Sequence, residues 1–181
     1  MAYYFIDNIR IKEVGDKEPC NCVKADTAAS AVEYSKVVIT KEPVVSDKMT
    51  EEEKVAAQVI YYPFGKAKPS EVGKSCIQFV GDYLKANASK KITIYAHNDE
   101  LEDSLATAYE DLRDELENLD EQRGEYIKTR LIEVYGISED RIIIIAENAM
   151  KPNEAEMTED DDPNDRELKL AYNRRVEFQV K

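Results

Sequence analysis

The sequence predicts an α/β (α+β) sandwich, a mixed sheet of βαβαβ(β) order with its helices packed on one side. Two observations lead there. Short β-branched runs alternate with longer stretches whose apolar residues recur every three or four positions. Gly and Pro punctuate the junctions, as at Pro63, Gly65 and Gly136. Such an alternation stacks a sheet against helices around one core.

Val59 to Phe64 reads as the first strand of this unit, ended by Pro63 and Gly65. Pro69-Ser70 then opens a helix with apolar positions at Val72, Cys76, Phe79, Val80, Tyr83 and Leu84. Lys91 to Ala96 alternates Ile92 and Ile94 against Thr93 and Tyr95, a second strand. A long helical region follows, broken near Leu119, that carries Leu116, Ile127, Leu131, Ile132 and Val134 and stops at Gly136. Ile142 to Ile145 is a continuous β-branched run, the pattern of a strand buried on both faces. A loop with a short helix leads to the last strand, Val176 to Val180.

Ahead of this unit, 1–54 reads as an N-terminal segment with one or two strands and a linker, leaving 55–181 as the main domain. Tyr3 to Lys12 has strand character and needs an edge to pair with. It either joins the main sheet or is the last strand of an upstream domain. Lys36 to Thr40 is a second candidate strand, and Thr50-Glu51-Glu52-Glu53 is a capping box that starts a short helix from Glu51 to Ala57.

With 43% hydrophobic and 35% charged residues, the 181-residue chain has material for a real core under a solvated surface. The net charge of -13 repels nucleic-acid phosphates and anionic membranes, so neither is an expected partner. No run approaches the length of a membrane helix, and Met1-Ala2-Tyr3-Tyr4 lacks the regions of a secretory signal. If the protein is exported, its signal lies outside this chain. Cys20, Cys22 and Cys76 leave at least one thiol unpaired within the chain. No metal or cofactor is expected. Glu159 to Asp165 lacks the turn Gly and late Glu of a calcium loop and reads as solvated.

Five landmarks then carry a resemblance. Tyr61-Tyr62-Pro63-Phe64 precedes a helix. Ile94-Tyr95-Ala96-His97-Asn98-Asp99 ends a strand. Leu119-Asp120-Glu121-Gln122-Arg123-Gly124 lies in a helix. Val134-Tyr135-Gly136-Ile137 precedes Arg141-Ile142, and Asn173-Arg174-Arg175-Val176-Glu177 opens the terminus. In this order they resemble the OmpA-like domain, the peptidoglycan-associated lipoprotein and outer membrane protein A type. The Phe-Ile-Asp-Asn-Ile-Arg-Ile stretch near Cys-Asn-Cys resembles the closing strand of jelly-roll modules that precede such domains in Bacteroidetes surface proteins.

The resemblance implies a non-enzymatic module of the Gram-negative periplasm, associated with the outer membrane, that anchors its parent protein to peptidoglycan. It carries the two residues that hold the zwitterionic end of a diaminopimelate stem peptide onto Asp99 and Arg123. An ammonium beside a carboxylate calls for a fixed acid near a planar, bidentate base, which these supply. Asn98, His97 and Arg174 complete the candidate ligand-binding set, with His97 a hydrogen-bonded framework residue on an inward or pocket-facing strand end and one of Arg174 and Arg175 turned toward the site. Asp99 also suits the N-cap of a helix starting at Glu100.

The family pattern is broken in places. Asn98 stands for a Thr, Leu116 for an Asn and Leu170 for an Arg. The stretch from Glu100 to Glu117 is longer than usual by roughly two helical turns and strongly acidic. These departures support an alternative in which the domain keeps the fold, has no peptidoglycan ligand, and acts as a protein interaction or structural module with other envelope proteins.

Overall fold

The computed structural model describes residues 37–150 and 163–181. The stretch predicted as a strand at Tyr3 to Lys12, Cys20, Cys22 and most of the acidic loop at Glu159 to Asp165 lie outside them.

The described chain runs α1 (Glu51–Ala56), β1 (Ile60–Tyr61), α2 (Glu71–Ala86), β2 (Ile92–Ala96), α3 (Glu100–Ala108), α4 (Glu110–Leu116), α5 (Leu119–Glu133), β3 (Ile142–Ala146), α6 (Pro163–Asn173) and β4 (Arg175–Val180). The sheet has the order β1-β4-β2-β3. β4 runs antiparallel to both β1 and β2, while β2 and β3 are parallel and joined through α5. This is the mixed α/β sheet that the sequence predicts.

Alternation along β2 and β4 builds the core. Ile92, Ile94 and Ala96 stand opposite Val180, Phe178 and Val176, and their side chains share one face. That face receives Cys76, Ile77, Val80 and Leu84 from α2 and Ile127 and Leu131 from α5. Val55 on α1 joins the same cluster. α1 starts with the predicted capping box, the Thr50 hydroxyl accepting from the Glu53 amide and the Glu53 carboxylate accepting from the Thr50 amide. Burial in this cluster raises the Cys76 thiol to about 11.

Contacts between helices and sheet are close where small residues permit. A Cβ at Gly124 on α5 would come within 2.6 Å of Ile144 Cγ2. Gly136 ends the α5 region with φ +68°, a left-handed turn that favours glycine.

Four sequence expectations are corrected. The predicted strand from Lys36 to Thr40 forms no ladder over its described residues, 37–40. Val37 instead donates its amide to Glu167 and accepts from Arg174, so its backbone is spoken for by side chains. The first strand is two residues long because Pro63 carries no N–H and only Tyr62 continues the ladder, to Arg174 O. The long helical region breaks at Tyr109 as well as near Leu119, giving three helices. β3 stands at the sheet edge, and Ile143 is 41% exposed. An all-isoleucine run therefore marks a strand here without marking burial on both faces.

Candidate functional site

The candidate residues gather where β2 ends, α3 begins and α5 passes beneath. Asp99 is the N-cap of α3, its Oδ1 accepting from the Glu102 amide at 2.7 Å. Glu102 completes a capping box by accepting the Asp99 amide at 3.4 Å. The cap predicted for Asp99 is therefore present. It is joined by Glu102, which by sequence reads only as part of the acidic stretch from Glu100 to Glu117.

Glu102 reaches farther than its own helix turn. Its two carboxylate oxygens accept from Arg123 Nη1 and Nη2 at 3.0 and 2.7 Å, a bidentate fork. Its Oε1 also accepts the amide of Gly65 at 2.9 Å. Gly65 holds φ +63°, a left-handed turn residue that offers its N–H from the loop after β1. Both side chains of this ion pair are fully buried.

Arg123 comes from the first half of α5. Besides Glu102, its Nε donates to Lys66 O at 3.0 Å and its Nη1 to His97 O at 2.9 Å and to Asn98 Oδ1 at 3.2 Å. The guanidinium carbon lies 4.9 Å from the centre of the Tyr62 ring. A cation taken out of water needs such a shell, because an unpaired buried charge costs several kcal/mol.

Asp99 turns its second oxygen to a different base. Arg174 Nη1 donates to Asp99 Oδ2 at 2.6 Å, and this pair is also fully buried. Arg174 further donates to Tyr62 O and Val37 O. Arg175, one position on, pairs with Glu177 instead. Alternation thus sends Arg174 to the site and Arg175 away, resolving the choice the sequence left open.

The four charges form two acid and base pairs with no net charge. Among the described residues no hydrogen bond joins Asp99 to Arg123. Burial, followed by the nearby Glu102 carboxylate, pushes Asp99 up to about 6, against the opposing pull of Arg174 and the Glu102 amide.

His97 enters the site through its backbone. Its carbonyl accepts from Arg123, while alternation beyond Ala96 carries the imidazole to the opposite face of the sheet, near Tyr95 and Glu177. There its Nδ1 lies 3.7 Å from Glu147. Asn98 supplies Oδ1 to Arg123 and its Nδ2 to Asp103 Oδ1 at 3.0 Å. Both serve as scaffolding for the guanidinium in this arrangement.

The acidic stretch from Glu100 to Glu117 forms α3 and α4. They contribute Leu105, Ala106 and Leu116 to a second apolar cluster with Leu119 of α5. Phe64 and Ala67 of the loop after β1 border this second cluster. Leu116 meets the turn directly, since a Cβ on Gly65 would sit 3.2 Å from its Cδ2. Leu170, another departure from the family pattern, is buried. Among the described residues no group of three or more potential ligands is arranged to hold a metal ion.

The solved structures that this chain resembles include OmpA-like domains, the class to which the five landmarks point. One is the peptidoglycan-associated lipoprotein from Burkholderia pseudomallei, 18% identical, with a TM-score of 0.49 over 68% of this chain and 89% of that one. The OmpA-like domain of FopA1 from Francisella tularensis is 14% identical, with a TM-score of 0.48 over 68% of this chain and 69% of that one. The cell wall anchor of the T6SS from Pseudomonas aeruginosa is 15% identical, with a TM-score of 0.48 over 67% and 77%. No family model and no curated protein matches the chain.

Proposed function

We propose that this chain is an OmpA-like module of the bacterial cell envelope whose stem-peptide pocket is closed from within. In the state described it serves as a structural or protein interaction unit and holds no diaminopimelate between Asp99 and Arg123. The observation that carries this reading is the Glu102 carboxylate, seated in the fork of Arg123 at 2.7 and 3.0 Å with both side chains fully buried. A ligand carboxylate would need that same fork. Asp99 is likewise engaged, by Arg174 and by the α3 amide it caps. The reading includes no catalytic step and places the module in the periplasm, at the outer membrane.

One observation favours a second reading, in which the module still anchors its parent protein to peptidoglycan. Arg123 already grips a carboxylate in bidentate geometry, and a stem peptide offers the same group. Binding would then be an exchange of one carboxylate for another.

Calorimetric titration of the full chain with a diaminopimelate-containing muropeptide separates the two. The closed reading expects no saturable heat at millimolar ligand from a folded sample. Saturable heat that disappears in a folded Arg123→Lys protein, which keeps the charge and loses the fork, would establish the anchor and overturn the closed reading.

A further inference from the structure

We propose that α3 and α4 form a self-inhibiting latch, with Glu102 acting as a built-in ligand for the carboxylate site at Arg123. The inference rests on the closed reading above and deepens it, by naming what closes the pocket and what chemical group could replace it.

Three features carry it. The first is the set of partners that Glu102 chooses. Apart from the amide at its own helix start, its carboxylate is held by Gly65 of the loop after β1 and by both terminal nitrogens of Arg123. A helix whose acid is gripped from two other elements is bonded as a docked ligand would be.

The second is mechanical. α3 and α4 pack through Leu105, Ala106 and Leu116, a cluster separate from the one that joins α2, α5 and the sheet. The covering helices can therefore part from the domain without opening its main core. Their boundaries are defined. Asp99 is extended at one end, and at the other Glu117 is extended and Asn118 left-handed at φ 57°, with no side-chain cap on the following helix. Asp103 adds a tie, accepting from Asn98 and from the Ala149 amide.

The third is electrostatic. Removing Glu102 alone would strand the Arg123 cation in a dry pocket, which is costly. An incoming carboxylate that takes the fork as Glu102 leaves keeps the pocket neutral, so the class of ligand that can spring the latch is a carboxylate. A neutral or cationic ligand has no such exchange open to it.

Glu102→Ala in the full chain tests the site with acetate and glycine as probes, read by thermal unfolding at pH 7 against chloride of equal ionic strength. The variant is expected to melt about 10 °C or more below the wild type in chloride. Acetate should restore several degrees in a saturable way while leaving the wild type unmoved, and a larger effect of glycine would show that an ammonium is also accommodated. Glu102→Gln, which fills the space with an amide, should show no such response. Acetate that shifts Glu102→Gln or the wild type as strongly as Glu102→Ala, or fails to shift Glu102→Ala, overturns the proposal. Where Glu102→Ala does not fold in chloride, refolding yield becomes the readout: recovery in acetate supports the site, and no recovery overturns it.

Amide hydrogen exchange of the wild type tests the latch itself. Residues 100–116 should open at a lower free energy than α2 and α5. Equal protection in all of these helices would mean that the covering helices are part of one cooperative unit and not a latch. The muropeptide titration reports whether ligand enters the wild-type protein, whereas the acetate response reports what the pocket accepts once Glu102 is gone. The two failures are therefore distinguishable: saturable muropeptide heat overturns the closed reading, and a missing acetate response overturns the latch alone.

Discussion

The apolar core and the charged cluster are both buried, and they are held together by different physics. Between the sheet and α2 and α5, Ile94, Val80, Leu84, Ile127 and Leu131 are buried to 0% exposure, and their contacts are non-directional. A methyl group lost there leaves a cavity that neighbours partly fill. At the pocket, Asp99, Glu102, Arg123 and Arg174 are equally buried, but each is stable only while a particular partner is in place. The core tolerates approximation, and the pocket does not.

Deleting one pocket charge should sharpen this contrast most. Arg123→Ala leaves Glu102 buried without its base and is expected to cost about 3 to 5 kcal/mol in denaturant unfolding. The double replacement Glu102→Leu with Arg123→Met removes both charges and should recover most of that loss. A double variant as unstable as the single one would show that the pocket, like the core, is held chiefly by shape.

In the core, Ile127→Val is expected to cost about 0.5 to 1.5 kcal/mol, with no dependence on pH between 4 and 8. A cost above that of Arg123→Ala would reverse the ranking of the two regions.

Acid titration separates them by sign. With Asp99 raised to about 6 in the fold, the folded state takes up a proton before the unfolded chain does, whose carboxyl titrates near 3.8. This group therefore adds stability as the pH falls from about 6 toward 4, and that gain is lost as the pH rises back through 6. Comparing the wild type with Asp99→Asn over this range should show the difference moving toward the wild type on acidification, on the order of 1 to 3 kcal/mol. The opposite slope would mean that the pull of Arg174 outweighs burial.

The smallest effect is expected on the surface. Lys74 and Glu71 form an exposed pair one turn apart on α2, and Lys74→Ala should leave the denaturant midpoint unchanged within error.

The sheet and its packed helices were legible because burial on one face imposes a period on Ile92, Ile94, Val80 and Leu84 that survives in the sequence. Asp99, Arg123 and Arg174 were legible as neighbours through the landmarks around them. Glu102 was not, although Asp99 and Glu102 have the spacing of a capping box. The spacing predicts the short bond within α3. It carries no trace of the fork to Arg123, 21 residues on, which depends on how α3 settles against the loop at Gly65. The expectation that His97 faces the pocket is corrected, since alternation past Ile94 and Ala96 carries its imidazole to the opposite face and leaves only its carbonyl to Arg123. The edge position of β3 was not legible, since a run of four isoleucines looks the same beside one neighbour or two.

The position of β4 has a consequence for how the domain is made. Residues 175–180 lie between β1 and β2, so the last strand of the order is an interior one. As the chain is synthesised, β1 and β2 have no shared partner until residues 175–180 are out. Arg174 arrives with that strand, so Asp99 also lacks its base until then. A nascent chain short of this point exposes two strand flanks and a lone acid, the kind of intermediate that aggregates or recruits a chaperone. Vectorial synthesis thus makes residues 174–180 the ones that commit the domain to fold.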